Sequence, residues 1–217
     1  MKVFIDIETC ATSREDVRSL VAGEVRPPSN YKKQESIDAW FQTEGAKARE
    51  EAINKTALNG LWGEVIAIGL AIDDGKITVH YRRPDEPEAE LLRHFAGMIE
   101  LRPSVHVSPT WIGHNIESFD LRFLWQRCVI NGVRPPNMPL ERHSRHRYDT
   151  MLEWGGYGNR VSQKDLELAF NLHRSDPLLF GGADVAQALA EGRVTDVIAH
   201  CAEDVRLVRE IYRRMTA

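Results

Sequence analysis

The first segment of the chain alternates in a way that predicts a buried strand. The odd-numbered positions of residues 3–7 are apolar, and Phe4 is apolar on the opposite face. A strand that is apolar on both faces is typical of the centre of a sheet covered on both sides. Asp6 and Glu8 break this pattern, and residues two apart on a strand point to the same face. We therefore predict a central strand over 2–9 that presents two carboxylates together, or else an exposed strand end at which both acids face water.

Hydrophobic periodicity along the rest of the chain predicts a mixed order of strands and helices. Alternation predicts strands over 64–72 and 76–82 with a hairpin turn between them, a strand over 110–114 and a short strand that ends at 148–150. Helical spacing predicts helices over 86–101, 119–130, 162–170, 184–190 and 195–215. This order predicts an α/β fold in which three antiparallel strands precede parallel strands, with helices on the flanks.

Residues 10–62 insert a long connection between the first two strands. Its second half, over 36–58, has apolar residues at helical spacing. A connection of this length is usually functional or disordered. Its aromatic and basic residues, with Tyr31 and Trp40 among them, favour a flap over a substrate, and a helical decoration on the flank of the sheet explains the pattern equally well.

Composition and charge limit the class of protein. The chain has 217 residues, of which 42% are hydrophobic and 28% charged, and this fits one domain over 1–217. No apolar run approaches the ~20 residues that span a bilayer, and the N-terminus lacks a signal-peptide pattern, so we expect a cytoplasmic protein without a membrane partner. Cys10, Cys128 and Cys201 match no zinc spacing, and we expect reduced thiols.

The formal net charge of -4 does not by itself indicate a nucleic-acid-binding protein. A local basic segment over 134–147 changes this picture, because it carries four arginines and two histidines against a single Glu141. Such a segment would either face phosphates or be a solvated loop.

The segment after the predicted fourth strand carries a third acid. Ligands of α/β sheets gather at the carboxyl ends of strands, and Asp120 lies just beyond such an end, near the start of a predicted helix. An acid in this position also stabilises the helix dipole without any ligand. His114, Asn115 and Phe119 favour the functional alternative, because a ring donor, an amide and an aromatic face are groups that hold a nucleotide.

A fourth acid lies in the last predicted helix. His200 and Asp204 are four residues apart, so they stack one helical turn apart beside the apolar seam of the helix. An ionised Asp on the core side is costly without a partner. The pair either satisfies itself within the helix or contributes to a site formed with other acids.

The four acids Asp6, Glu8, Asp120 and Asp204 are hard oxygen ligands, which select Mg²⁺ or Mn²⁺. The segments FIDIET and GHNIESFDLRFL and the helix around Asp204 resemble, in order and approximate spacing, the three motifs of the DEDD 3'-5' exonucleases of ribonuclease H-like fold. The similarity is greatest to predicted stand-alone exonucleases related to the proofreading domain of family B DNA polymerases. It covers the chain apart from the insertion.

The resemblance implies a ribonuclease H-like mixed sheet and a metal-dependent 3'-5' exonuclease. Such an enzyme hydrolyses the terminal phosphodiester of a single-stranded DNA with a free 3' end and releases nucleoside monophosphates. The resemblance also implies two divalent metal ions, Mg²⁺ or Mn²⁺, held by the four acids. The predicted substrate contacts are Thr9, His114, Asn115 and Phe119.

The resemblance assigns the proton-accepting role to His200, with one departure from the family pattern. The family has a Tyr four residues before the last acid or a His five residues before it, whereas this chain has a His four residues before Asp204. Two alternatives stay open at this point. One is an oligoribonuclease or RNA-trimming exonuclease, and the other is a catalytically silent nucleic-acid-binding module.

Overall fold

The computed structural model of the chain describes residues 1–100, 108–175 and 182–217. The elements in chain order are β1 (Lys2–Cys10), α1 (Glu15–Gly23), α2 (Gln34–Thr43), α3 (Gly45–Asn54), a 3-10 turn (Lys55–Leu58), β2 (Glu64–Ile72), β3 (Thr78–Tyr81), α4 (Glu88–Glu100), β4 (Thr110–Gly113), α5 (Asp120–Ile130), β5 (Arg147–Asp149), α6 (Thr150–Gly155), α7 (Gln163–Ala169), α8 (Gly182–Ala190) and α9 (Val194–Met215). Backbone contacts divide them into two units, one formed by Met1–Glu8 with Val65–Ala217 and the other by Thr9–Glu64.

Among the described residues the strands form one sheet in the order β3-β2-β1-β4-β5. β2 and β3 are an antiparallel hairpin. The N–H of Asp73, just after β2, donates to the carbonyl of Lys2 at 2.9 Å, so the end of β2 lies beside the start of β1 and these strands are also antiparallel. β4 runs parallel to β1, and β5 runs parallel to β4. The predicted α/β fold, with an antiparallel half and a parallel half, is confirmed.

The alternation in β1 separates the two faces of the sheet. Its odd-numbered apolar residues belong to the core that includes α4 and α5. Phe4 belongs to the opposite core, with Val205 and Val208 of α9. Because side chains alternate along a strand, Asp6 and Glu8 continue the Phe4 side, towards α9. This arrangement gives the two acids a position between the sheet and the last helix.

A glycine in β2 allows α9 to approach the sheet closely. A Cβ atom at Gly69 would lie 2.8 Å from both the sulfur of Cys201 and a methyl carbon of Val205. Only a residue without a side chain fits at this distance. The contact fixes the height of α9 above the sheet, and α9 carries His200 and Asp204.

The second unit, Thr9–Glu64, is helical, although not as one stretch. The predicted helical run over 36–58 is interrupted at Glu44, between α2 and α3, and it ends in a 3-10 turn. α1 was not predicted, although Val17, Leu20 and Val21 lie at helical spacing, because nine residues give only a short helical period. Trp40 is buried and its ring packs edge-on against Phe41, so this residue packs within the unit, and the flap over a substrate stays a prediction.

Several predicted boundaries differ from the observed ones. β3 is shorter than 76–82 because its register with β2 begins only at Thr78. The helix predicted over 86–101 begins at Glu88, and residue 101 lies outside the described residues. α8 begins two residues before the predicted position. α6 was not predicted because six residues are too few to show a helical period.

Two further observations concern the chain as a whole. Within the described ranges, none of the helices combines the length and the apolarity that a membrane crossing requires. The three cysteines form no disulfide among these residues, and the thiols of Cys128 and Cys201 are buried.

Candidate active site

The carboxyl half of β1 and the middle of α9 bring three predicted side chains together. His200 Nε2 lies 3.4 Å from a carboxylate oxygen of Asp204 and 4.0 Å from Glu8 Oε1. The histidine and the aspartate lie one turn apart on α9, and Glu8 reaches them from the face of β1 that packs on this helix. Side-chain alternation in β1 and the four-residue spacing in α9 therefore place these three side chains in one acidic centre.

Potential metal ligands form two overlapping sets in this centre. Glu8, His200 and Asp204 each offer an atom, and these atoms lie within 4.8 Å of one another. Asp6, Glu8 and Cys201 form a second set with the same spacing. Burial raises the pKa of the Cys201 thiol well above its usual range, with Asp6 adding to the effect, and the sulfur lies 3.8 Å from the Asp6 main-chain oxygen. Cys201 is therefore a neutral packing residue, and the acids are the donors of this set.

Asp120 joins the centre from the first turn of α5. It is buried, and its Oδ1 accepts a hydrogen bond from the N–H of Ile7 at 3.2 Å. Ile7 lies between Asp6 and Glu8, so this bond fastens the start of α5 to the acid-bearing part of β1. The structure thus brings all four predicted acids to one place, although they span almost the whole sequence.

Mutual repulsion and burial perturb these carboxyl groups strongly. Burial raises the pKa of Asp6 well above its usual range, and Asp204, Glu8 and Asp120 raise it further. Burial also raises the pKa of Glu8 well above its usual range, with added repulsion from Asp204 and Asp120. Burial raises the pKa of Asp120 to about 7, against hydrogen bonds from main-chain N–H groups that lower it. A cation bound in this centre would therefore stabilise the ionised form of these carboxyl groups.

The donor set fits divalent metal ions that prefer oxygen ligands. Asp6 Oδ2 is buried and has no hydrogen-bond partner in the described part of the chain, although an unpaired buried carboxylate oxygen is unfavourable. A divalent cation would supply the missing partner for this oxygen and would lower the raised pKa values of the surrounding acids. Oxygen donors from four carboxylates are the ligands that Mg²⁺ and Mn²⁺ prefer.

A cationic side chain of the protein also enters the centre, and no sequence pattern indicated it. Arg174 donates to Asp204 Oδ1 at 2.7 Å and to Glu167 Oε1 at 3.0 Å. Gln163 donates to the same two carboxylates at 3.1 Å. Glu167 is buried in α7, and it orients both donors towards Asp204. Arg174 has no periodic or motif context, so only the fold could reveal this contact.

The segment that delivers Arg174 is fastened to α9. The carboxylate of Glu203 accepts from the N–H and the hydroxyl of Ser175, at 2.6 and 3.0 Å, and from Arg206. Burial acts to raise the pKa of Glu203, but the hydrogen bonds from Arg206 and Ser175 outweigh it and lower the pKa to about 2. Glu203 therefore stays ionised and holds the residue next to Arg174 in place.

The contact between Arg174 and His200 determines the tautomer of the histidine. A guanidinium nitrogen of Arg174 lies 3.2 Å from His200 Nδ1, and an arginine can only donate. Nδ1 therefore accepts this hydrogen bond, and in the neutral ring the proton is on Nε2. Since Nε2 is the nitrogen that faces Glu8 and Asp204, His200 can accept a proton on that side only after a change of tautomer.

Two of the predicted substrate contacts have partners within the protein. The hydroxyl of Thr9 donates to the carbonyl of Ala57 at 2.7 Å, within the second unit. His114 Nδ1 lies 2.9 Å from the Thr150 hydroxyl, and its Nε2 lies 3.0 Å from the Val161 carbonyl. Burial lowers the pKa of His114, which favours the neutral ring that these contacts require. Both side chains thus stabilise local structure.

Asn115 and Phe119 lie in the loop between β4 and α5. Asn115 has a φ of 60°, which is uncommon for a residue with a side chain, and its N–H donates to Asp149 Oδ1 at 2.9 Å. Its own Oδ1 is buried and has no hydrogen-bond partner within the described ranges. The half-buried ring of Phe119 packs against Phe123, directly before Asp120. Of the predicted substrate contacts, Asn115 therefore has a polar atom, unpaired among the described residues, and Phe119 has a partly exposed ring surface, that a substrate could contact.

Part of the basic segment over 134–147 is structural. Arg147 is almost fully buried, pairs with Glu117, and donates to the carbonyls of Pro139 and Glu141 at 2.9 Å. Arg147 therefore does not face phosphates, because its donors fasten the segment to the end of β5. The remaining arginines of the segment are exposed.

Comparison with solved structures supports the fold. The structure is similar to the family B DNA polymerase from the hyperthermophilic archaeon Pyrobaculum calidifontis, with a TM-score of 0.61 and 14% sequence identity. The similarity covers 99% of this chain and 24% of the polymerase chain, and at this identity it establishes the fold alone.

The sequence itself defines the family. Residues 58–216 match the family described as predicted 3'-5' exonuclease related to the exonuclease domain of PolB. This match covers well over half of the chain, so the chain belongs to that family, and the predicted resemblance is confirmed. None of the curated proteins matches the sequence.

Proposed function

We propose that the chain is a metal-dependent 3'-5' exonuclease that hydrolyses the terminal phosphodiester of single-stranded DNA and releases nucleoside monophosphates. One observation carries the proposal. Asp6, Glu8, Asp120 and Asp204 converge from distant parts of the sequence, and burial and mutual repulsion raise the pKa of the first three. A fold gains no stability from such a cluster, and strongly perturbed acids that cluster in one place are typical of a functional site.

Each acid has a role that follows from its position. Two divalent ions, Mg²⁺ or Mn²⁺, would activate the attacking water and stabilise the leaving 3' oxygen when bound. Asp6 would hold the ions through its buried Oδ2, which has no hydrogen-bond partner within the described ranges. Glu8 and Asp204 lie beside His200 and would hold the ion on the water side, and Asp120 would hold the other.

His200 would accept the proton of the attacking water, with Arg174 as its controlling partner. In the present geometry the proton on Nε2 faces the acids, so the base becomes competent only when Arg174 releases Nδ1. Arg174 also neutralises Asp204. Asp204 would hold a divalent cation through the carboxylate that Arg174 now contacts, so release of this ion pair would make both Asp204 and His200 Nδ1 available.

We also propose that residues 1–217 act as one exonuclease domain with an insertion at about 10–62. The family match begins at residue 58, next to the end of this insertion, and it runs almost to the end of the chain. The match therefore covers the part of the chain that follows the insertion, and the strand that carries Asp6 and Glu8 lies outside it.

A digestion assay tests the proposed activity. A 5'-labelled linear single strand incubated with Mn²⁺ should give a ladder that shortens from the 3' end, and excess EDTA should stop it. A covalently closed single-stranded circle should remain intact, because it has no 3' end. Digestion of the circle would indicate an endonuclease, and faster digestion of a matched RNA strand would indicate an RNA-trimming enzyme. Loss of both activities with retained binding would indicate a silent module.

A further inference from the structure

A basic cleft lies beside the carboxyl ends of β4 and β5, apart from the acidic centre. It has a volume of about 460 Å³, and its lining includes Arg122, Arg142, Arg160 and Tyr157. Glu117 also lines the cleft, but its carboxylate pairs with the buried Arg147. The three lining arginines therefore give the cleft a positive charge that the acidic chain as a whole does not have.

The arginines of the cleft have N–H groups that are available to a ligand. Arg142 and Arg160 are exposed, and within the described ranges neither forms a hydrogen bond or an ion pair. Arg122 donates through one nitrogen to the carbonyl of Leu140 at 3.1 Å. A guanidinium group presents five N–H donors in a fork that matches a phosphate, so exposed arginines in a concave site are suited to phosphodiester oxygens.

Tyr157 gives the cleft a stacking surface. Its side chain is 66% exposed, although tyrosine rings are usually at least half-buried. It lies between Gly156 and Gly158, whose φ angles of 71° and 88° let the turn present the ring outward. The guanidinium carbon of Arg142 lies 6.0 Å from the ring centroid. An aromatic ring beside a cation is the combination on which unpaired bases stack.

The position of the cleft connects it to the acidic centre. β1, β4 and β5 are parallel, so their carboxyl ends lie at one edge of the sheet, and Glu8 and the cleft are both at that edge. β5 is two strands from β1, which corresponds to about 10 Å at the usual strand spacing. Ser118 lines the cleft two residues before Asp120. A strand of a few nucleotides can therefore reach from one site to the other.

We propose that this cleft holds single-stranded nucleic acid upstream of the 3' end, with Arg142 and Arg160 on backbone phosphates and Tyr157 stacked on a base. The inference rests on the proposed exonuclease function and adds the surface that retains the strand during degradation. A stacked base must be unpaired, so the proposal specifies a single strand and excludes a duplex as the preferred partner.

Equilibrium binding tests the proposal without any turnover. A 5'-labelled single strand of about 12 nucleotides is titrated with protein in EDTA, by fluorescence anisotropy, at several salt concentrations. The double variant Arg142→Ala/Arg160→Ala should bind about 10-fold or more weakly, and its log–log salt dependence should fall by about 1.4, because each contact with a single-stranded phosphate contributes about 0.7. The variant Arg142→Lys/Arg160→Lys should restore most of the salt dependence, since it keeps the charge.

The matched control is Arg83→Ala/Arg93→Ala, which removes the same charge from exposed positions near β3, at the opposite edge of the sheet. It should bind like wild type. Tyr157→Ala should weaken single-strand binding about 5-fold or more with an unchanged salt dependence, because stacking is not ionic. Wild-type affinity in the Arg142 and Arg160 variant, an equal loss in the control, or duplex binding as tight as single-strand binding would each overturn the proposal.

The outcome is separable from that of the proposed function. Binding that depends on Arg142, Arg160 and Tyr157, in a protein without nuclease activity, would support the cleft and contradict the exonuclease. Nuclease activity in a protein whose cleft variants bind as tightly as wild type would support the exonuclease and contradict the binding cleft. Thermal unfolding of each variant checks that the exposed substitutions leave the fold intact.

Discussion

Replacing Asp120 by asparagine should stabilise the metal-free protein while abolishing its activity. The asparagine side chain keeps the shape of the acid and an oxygen that accepts from Ile7 N–H, a bond that measures 3.2 Å in the wild type. It removes a buried negative charge near Asp6 and Glu8. The two effects have opposite signs because this charge is unfavourable for the fold and is needed to bind cations.

The raised pKa of Asp120 defines the pH range of the effect. Below about pH 4 the carboxyl is protonated in the folded and the unfolded chain, so it makes no difference to stability. Between its ordinary pKa of 3.8 and its folded pKa of about 7, the unfolded chain releases the proton while the folded chain retains it. Stability therefore falls as pH rises through this window and stays low above it.

The magnitude follows from the size of the shift. A shift of about three pKa units at about 1.4 kcal/mol each gives an upper limit of about 4 kcal/mol at pH 8. For a chain of this size each kcal/mol changes Tm by about 2–4 °C. The metal-free Asp120→Asn variant should therefore unfold several degrees, and at most about 15 °C, above wild type at pH 8, with little difference at pH 4.

Thermal unfolding in EDTA, followed by circular dichroism from pH 4 to 9, measures this difference. The matched control is Asp85→Asn, which removes an exposed negative charge outside the four-acid centre, and its Tm should follow wild type at every pH. An Asp120→Asn variant that is less stable than wild type at pH 8 would refute the reasoning, because it would mean that the charge is already compensated within the protein. Adding Mn²⁺ at pH 8 should raise the Tm of wild type more than that of the variant.

Three further predictions concern single side chains. His200→Ala should lose about 10²-fold to 10⁴-fold in kcat, the usual contribution of a positioned base, and His200→Tyr should keep measurable activity with a changed pH profile; a nearly wild-type rate in His200→Ala from pH 6 to 9 would make His200 a packing residue. Arg127→Ala should lower the free energy of unfolding by about 3–5 kcal/mol in a urea titration, because it leaves the buried carboxylate of Glu88 without its bidentate partner, contacts that measure 2.6 to 3.1 Å in the structure; an unchanged urea midpoint would show that Glu88 is compensated elsewhere. Gly69→Ala should cost about 1–3 kcal/mol and reduce activity as well, because the new methyl group displaces α9 together with His200 and Asp204; a variant with wild-type stability would contradict the proposed close packing.

The sequence was informative where a local period coincided with a tertiary role. The alternation of β1 predicted its central position and the shared face of Asp6 and Glu8, because a strand that is covered on both sides must be apolar on both sides. The spacing of His200 and Asp204 predicted a stacked pair, because one helical turn fixes their distance.

The sequence was uninformative where a contact depends on segments that meet only in the fold. Arg174 lies in a connection without periodicity, and its partner Asp204 is thirty residues away. The burial of Arg147 could not be predicted either, because the sequence does not distinguish it from the exposed arginines of the same basic segment. Short elements such as α6 were missed because six residues carry less than two helical turns.

Single-turnover release of the 3'-terminal nucleotide by wild type and by Asp6→Asn tests the central claim most directly. Asparagine keeps the size of Asp6 but removes the charge of the acid whose Oδ2 is buried without a partner within the described ranges. With a 3'-labelled single strand in saturating Mn²⁺, the account predicts that the first product is the labelled mononucleotide and that the Asp6→Asn rate is at least about 10³-fold lower, with both proteins inactive in EDTA. A wild-type rate in Asp6→Asn, or undiminished release by wild type in excess EDTA, would contradict the claim that these acids form a metal-dependent catalytic centre.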